Sequence, residues 1–305
     1  MNAANKKLIV IQGPTASGKT ALSVSLAKAL DTVVFSADSR QFYKELAIGT
    51  AKPSLEEQDG VIHYFIDSHF LTDSLTAASY VKQALPLLEK EFKTKEYIVL
   101  CGGSGLFIDA LCRGLDDVPV NKGVKIELAS ELELNGLAVL VEEFRRKDPE
   151  QALITDLKNP MRVIRALEVI RSTGEKYSSF LTHQKTERMF DFIKFTIDLN
   201  RVVLYERINL RVDKMMQQGL LDEVVSVLPY RAYQALNTVG YSELFHYLEG
   251  LSTLPESIEL IKQNTRRYAK RQLTWFRRDK EALWLSSEMV KDQLIEVLNR
   301  LKIVL

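Results

Sequence analysis

The stretch GPTASGKT, residues 13–20, has the spacing G-x-x-x-x-G-K-[ST], and it stands between the apolar run LIVIQ (8–12) and the helical pattern ALSVSLAKAL (21–30). In that strand-to-helix setting these residue types describe an anion cradle. The backbone of Gly13, Pro14, Thr15, Ala16, Ser17 and Gly18 is expected to wrap phosphate oxygens at the start of the helix, with Lys19 adding a point charge and Thr20 offering a hydroxyl to Mg²⁺. A di- or triphosphate is the ligand class, but the motif names a group and not a reaction.

A second concentration of chemistry follows the apolar run VVFSA (33–37). SADSRQFYKELAIGTAKP (36–53) packs Asp38, Ser39, Arg40, Gln41, Tyr43 and Lys44 just past a strand end, the edge of a parallel sheet where ligands bind. Asp38 is suited to three jobs: an acid helping to hold Mg²⁺, a general base, or a helix N-cap. The residue types alone leave all three open. Two phosphate chemistries fare badly. A GTPase should carry an NKxD base reader, yet Asn121-Lys122 is followed by Gly123 and Val124; and YIVLC (97–101) runs into Cys101 and two glycines where a hydrolytic ATPase usually places an acid. Further along, Arg207 and Arg211 lie four apart and share a helix face, open both to a ligand and to plain solvation.

These groups need a scaffold that brings strand ends together. Strand, glycine loop and helix at the start, strands at 33–37 and 97–101, and a helical stretch over 77–92 predict an α/β protein: a P-loop NTPase-like parallel sheet flanked by helices on both faces. Pro86 predicts a kink or break in the 77–92 helix. From 116 to about 190 the pattern turns into charged amphipathic segments (125–134, 137–147 and 162–172), read as a helical insertion domain. DFIKFTIDL (191–199) is expected as a late strand, and 204–227 and 256–278 as long helices. The predicted domains are therefore a core of 1–115 with 191–305, and an insertion of 116–190.

Composition narrows the classes. The 305 residues are 46% hydrophobic, with 41 Lys+Arg against 40 Asp+Glu, an ordinary core-forming chain. Cys101 and Cys112 form no CxxC pair, and His63, His69, His183 and His246 lie far apart, so neither a zinc cluster nor a disulfide framework is written here. A cytoplasmic protein is expected, with no membrane span or export signal. A net charge of +1 gives no overall pull on nucleic acid. Locally the balance differs: 262–280 holds Lys262, Arg266, Arg267, Lys270, Arg271, Arg277, Arg278 and Lys280 against Asp279 alone. Tyr268, Trp275 and Phe276 interleave with these charges and are expected as core anchors more than as base-stacking platforms. No self-complementary apolar stripe stands out, and a monomer is expected.

Taken in order, GPTASGKT, DSRQFYKELAIGTAKP, GGSGLFI (102–108), NPMRVIRALEV (159–169), LYERINLRVDKMMQQGLLDEV (204–224), VGYSE (239–243) and RRYAKRQLTWFRR (266–278) resemble the tRNA dimethylallyltransferases over almost the whole chain. That resemblance implies transfer of a dimethylallyl group from dimethylallyl diphosphate to the exocyclic N6 amine of adenosine 37 in tRNA, with release of diphosphate. The P-loop would then hold the prenyl donor, with Mg²⁺ at Thr20, which accounts for the missing hydrolytic apparatus. By the same resemblance Asp38 is the general base, Arg207 the arginine on the donor diphosphate, and Ser104 a substrate-facing hydroxyl. Ser104 and Phe107 stand where the family usually has Thr and Tyr. Asp38, Ser39, Arg40 and Gln41 are implied in tRNA contact, as are Ser104, Lys125, Met161, Arg162, Val163, Ile164 and Arg165, with Arg266 and Arg271 from the basic segment. The nearest rival is an adenylate isopentenyltransferase acting on a free nucleotide. A P-loop small-molecule kinase and a non-catalytic RNA-binding protein are the others; the insertion and the basic segment favour tRNA.

Overall fold

The computed structural model describes residues 6–182 and 186–303; His183 lies outside them. The chain divides into two compact units, one of Met1–Cys112 with Arg188–Leu305 and one of Arg113–Glu187. Each junction falls three residues before the position expected from sequence.

In the first unit, six strands form one parallel sheet: β1 (Lys7–Gln12), β2 (Val34–Ser36), β3 (His63–Tyr64), β4 (Tyr97–Gly102), β5 (Asp191–Ile197) and β6 (Leu283–Leu285), in the order β3-β2-β4-β1-β5-β6. The unbroken apolar run of β1 is what a strand covered on both faces requires. Leu8 and Val10 enter one core, with Tyr80, Ala84 and Leu88 of α3 (Ala77–Glu91) and Ile108 and Leu111 of α4 (Gly105–Arg113). Ile9 and Ile11 enter the other, with Leu22 and Leu26 of α1 (Lys19–Ala29) and Val297 and Leu298 of a C-terminal helix. The short α2 (Leu55–Gln58) is closed by a capping box from Ser54. Strand β1 lies at the centre, and its carboxyl end, flanked by those of β4 and β5, opens onto the P-loop.

Pro86 does not break α3. The residue and Lys82, whose carbonyl loses its amide partner, are both exposed, so water can satisfy that carbonyl while Ala84 and Leu88 keep the helix docked. By contrast, the single helix expected over 204–227 is two: α9 (Arg201–Gln217) stops before Gly219, which adopts the left-handed φ of 96°, and α10 (Leu220–Ser226) starts after it. A side chain at that φ is strained, and glycine is the residue that turns the chain there.

The second unit contains α5 (Lys122–Asn135), α6 (Leu137–Lys147), α7 (Pro149–Ile154) and α8 (Pro160–Thr173) around Leu128, Leu140, Phe144, Val163, Ile164 and Leu167. Arg171 of α8 ties both neighbours by bidentate pairing to Glu131 of α5 (2.7 and 2.8 Å) and by a second pairing to Glu143 of α6. The first unit is completed by α11 (Tyr241–Leu248), α12 (Leu254–Phe276) and α13 (Val290–Leu301). The capping box of Thr253 with Glu256 starts α12, the longest helix, and Pro255 sits in its first turn.

Candidate active site

Between β1 and α1 the loop turns tightly. A Cβ on Gly13 would come within 3.1 Å of Ser17 Oγ and 3.2 Å of the Ile197 carbonyl, and Gly18 holds a left-handed φ of 92° at the helix N-cap. No side chain caps α1, so its first-turn amides point free at the positive end of the helix dipole. Ser17 Oγ is buried in this loop without a hydrogen-bond partner. Lys19 donates from Nζ to the Pro14 carbonyl at 2.7 Å. Burial lowers its pKa to about 8, against the opposing pull of Cys101 and Asp38, while Arg211 adds to the lowering. A polyanion is the ligand that uses open amides, an orphaned hydroxyl and a destabilised ammonium together.

Asp38 follows β2 on the same sheet edge. Its Oδ1 accepts from the Arg40 amide at 3.1 Å, a local turn, and its charge is felt at Lys19. The tips of β2 and β4 are sewn together: the Ser104 amide donates to the Ala37 carbonyl at 3.2 Å, the Ser39 amide donates to Ser104 Oγ at 3.0 Å, and Ser104 Oγ donates to Ser39 Oγ at 3.2 Å. Gly102 permits this closeness, since a Cβ there would lie 2.3 Å from the Ala37 carbonyl oxygen. Tyr268 of α12 lies within the field of the same residues; burial, and next the Asp38 charge, push its phenol up to about 12.

Arg211, four residues past the Arg207 expected on the diphosphate, reaches the cradle. Arg211 Nη1 donates to Thr15 Oγ1 at 3.2 Å, and burial lowers its pKa although Glu57 and Asp38 oppose the shift. Both residues project from one stripe of α9, and the residue a turn further along is the one level with the loop. Gln41 turns inward: its Nε2 donates to the carbonyls of Thr50 and Ala51 (3.2 and 3.0 Å). The segment it braces is held from its other side by Glu223 of α10, whose carboxylate accepts from the amides of Ala47, Ile48 and Gly49 at 2.9, 2.7 and 2.9 Å and from the Tyr241 hydroxyl at 2.6 Å. Gly49 is required here, because a Cβ would lie 2.6 Å from the Tyr241 ring.

Glu223, Tyr241 and Gln272 were not among the residues expected from sequence. Their one visible trace is that they fall inside the runs LLDEV, VGYSE and KRQLTW, where polar residues interrupt helical patterns. In α12, Phe276 is buried and Trp275 packs on the core with Nε1 donating to Asp109 at 2.9 Å, as the anchor reading expects, whereas Tyr268 joins no core and lies within the field of Asp38. Lys194, buried in β5, binds Asp109 and Asp279 at 2.6 and 2.9 Å and so fastens both ends of that contact. Arg266 donates to Asn209 at 2.6 Å, whereas Arg271 is exposed and lies 5.7 Å from the Tyr268 ring centroid.

In the second unit, Lys125, Met161 and Arg162 are exposed. Val163 and Ile164 are not available to RNA as side chains: they are 0% and 3% exposed in that unit's core, because α8 turns its apolar face inward between Arg162 and Arg165. Arg165 is partly engaged at home, pairing with Glu168 at 2.9 Å and donating to the Val118 carbonyl at 2.9 Å.

A family model described as IPP transferase matches residues 41–279. A tRNA dimethylallyltransferase of Cytophaga hutchinsonii is 49% identical over 285 residues, covering 93% of this chain and 94% of that protein. One of Bacteroides thetaiotaomicron, named tRNA dimethylallyltransferase 1, is 48% identical over 96% of this chain and 95% of its own length. Among solved structures, the tRNA isopentenylpyrophosphate transferase of Bacillus halodurans superposes with a TM-score of 0.72 at 36% identity, over 97% of this chain and 96% of that one. A sheet edge with an anion cradle, a carboxylate just past β2 and no acid on β4 thus meets similarity of sequence and structure over more than nine-tenths of the chain, and the chain belongs to the IPP transferase family.

Proposed function

We propose that this chain transfers a dimethylallyl group from dimethylallyl diphosphate to the N6 amine of adenosine 37 in tRNA. The observation that carries the reading is the convergence of Lys19, Arg211 and Asp38: two cations on the P-loop side and a carboxylate within their field just past β2. In the reaction the allylic C1–O bond breaks, its electron pair leaving with diphosphate, while N6 of the adenine bonds to C1 and gives up one proton. The α1 amides, Lys19 and Arg211 bind the diphosphate and meet the charge that grows on it, which stabilises the transition state more than the ground state. Asp38 takes the proton from N6, whose lone pair is otherwise drawn into the ring. Ser104, tied to Ser39 beside Asp38, is placed to orient the acceptor base.

The Thr20 hydroxyl in the first turn of α1 and the donor's own phosphate oxygens fit a divalent ion, Mg²⁺, which would neutralise charge on the leaving diphosphate. Among the described residues no helix is long and apolar enough to cross a membrane. The RNA contacts we assign are Asp38 to Gln41 and Ser104 at the sheet edge, Arg266 and Arg271 on α12, and Lys125, Met161, Arg162 and Arg165 in the second unit, with the chain acting as a monomer in the cytoplasm. An adenine inside a structured loop must be unstacked to reach Asp38, at a cost of about a few kcal/mol. Incubation with unmodified tRNA, AMP, labelled dimethylallyl diphosphate and Mg²⁺ tests the reading. Label in tRNA at the adenosine N6 is the expected result, and label only in AMP would move the chain to the free-nucleotide enzymes.

A further inference from the structure

Gln272 occupies an unusual place on the Arg-rich helix. It is 6% exposed, and both ends of its amide are used on backbone groups of two different loops. Oε1 accepts from the Thr15 amide of the P-loop at 2.9 Å, and Nε2 donates to the Gly103 carbonyl at 2.9 Å, one residue before Ser104. Thr15 is held twice, since its hydroxyl also takes the Arg211 hydrogen bond. On the other side the fit leaves no slack: a Cβ on Gly103 would lie 2.3 Å from Gln272 Nε2, and one on Gly105 would lie 2.3 Å from the Trp275 ring. The glycines of GGSG are thus shaped by α12, and one side chain sets the distance between the loop that cradles diphosphate and the loop that carries Ser104. An amide alone among uncharged side chains of this length offers an acceptor and a donor in opposite directions, so the bridge is specific to its chemistry.

We propose that Gln272 is a positioning residue that couples the two substrate subsites, so that prenyl diphosphate and RNA bind more tightly together than apart. The proposal rests on the assignment of these loops to donor and acceptor given above. A ligand that fixes Thr15 fixes Gly103 through one rigid amide, and the second ligand then meets a loop already in place. By linkage the benefit is the same in either order of addition. The anticodon stem-loop RNA does not need to touch Gln272 for this to hold.

The test is equilibrium binding of an anticodon stem-loop RNA to the full chain, with and without the unreactive donor analogue dimethylallyl S-thiolodiphosphate and Mg²⁺. In the unaltered protein the analogue should tighten RNA binding by about five-fold or more, the lower end of ordinary coupling between sites. In Gln272→Met that ratio should fall towards one. The ratio is internal to each variant, so a general loss of stability or affinity cancels from it. Gln272→Glu keeps the size and the acceptor towards Thr15 but loses the donor towards Gly103, and should lose the coupling too, which covers a Met variant that fails to fold. Trp275→Phe loosens α12 without touching the bridge and should retain the ratio. An unchanged ratio in both Gln272 variants, or a ratio of one in the unaltered protein that binds both ligands, overturns the coupling alone. If the unaltered protein binds neither ligand, the assignment of the subsites falls as well.

Discussion

Lys19 sits where its charge is least comfortable, and this gives the site a pH signature. With its pKa lowered to about 8 by burial, the free protein sheds that proton as pH rises through 8, whereas a bound diphosphate holds it on. Donor affinity should therefore be flat below pH 8 and fall above it, by up to about ten-fold per unit. A prenyl diphosphate ester is already ionised in that range, so titration of the ligand does not mask the effect. Isothermal titration with the thiolodiphosphate analogue from pH 7 to 9.5 checks this, and Lys19→Arg, which stays charged, should flatten the curve. Asp38→Asn should lower single-turnover rates by about 10²–10⁴-fold while the analogue still binds, since it removes the proton acceptor and leaves the cradle. Arg211→Ala should weaken donor binding by about ten-fold or more, the worth of a charge-assisted hydrogen bond, and Arg207→Ala by clearly less. The sequence presents these two arginines as equals, because spacing of four tells which residues share a face but not how far along the helix the partner lies. The cradle was legible because its geometry is local, strand, turn and helix within one short stretch, whereas the residue types alone left the role of Asp38 open.

Elements hold these residues through contacts that a linear reading does not reveal. Glu223 and the amides it gathers at Ala47, Ile48 and Gly49 are separated by more than 170 residues, and nothing in LLDEV says that its carboxylate faces a loop from the start of the chain. The same holds for Gln272, which reaches back to Thr15. The break at Gly219 was missed because the apolar period on either side outweighs the one signal for it, the glycine itself. Strands β3 and β6 are two and three residues long, too short for an alternating pattern to emerge, and are strands only because β2 and β5 offer them ladders. From the clamp follows a prediction about folding and activity together. Glu223→Ala removes the acceptor of three amides and of the Tyr241 hydroxyl, and should cost about 1–3 kcal/mol in urea unfolding. Gly49→Ala should cost a similar amount, because the Tyr241 ring it would strike is fully buried and cannot turn away. Both should also lower turnover, since the Ala47–Gly49 turn leads directly into Thr50 and Ala51, whose carbonyls hold Gln41 three residues past Asp38.

For the molecule as a whole, near-neutral charge hides the strongly positive segment 262–280, and RNA affinity should be governed by that local excess rather than by the total. Plotted as log affinity against log salt, stem-loop binding should fall linearly, and Arg271→Ala and Arg162→Ala should each reduce the slope by about one if the residue meets a phosphate. A filter-binding series between 50 and 300 mM salt, roughly the range in which such slopes are read, distinguishes a phosphate contact from a merely exposed arginine. The large-scale plan was readable from sequence: alternation of strand and helix, then a stretch of amphipathic helices, then a strand again. What it concealed is how the chain returns to the sheet. Arg188 Nε and Nη2 donate to the carbonyls of Leu111 and Ala110 at 2.8 and 2.9 Å, and the Thr186 amide donates to the Arg113 carbonyl at 2.8 Å. Departure and re-entry are thus stapled side by side, and among the described residues no rung of the β-ladder comes from the excursion between them. Such an arrangement makes the excursion exchangeable cargo: it can be lengthened, pruned or grafted at that threshold without re-registering a strand.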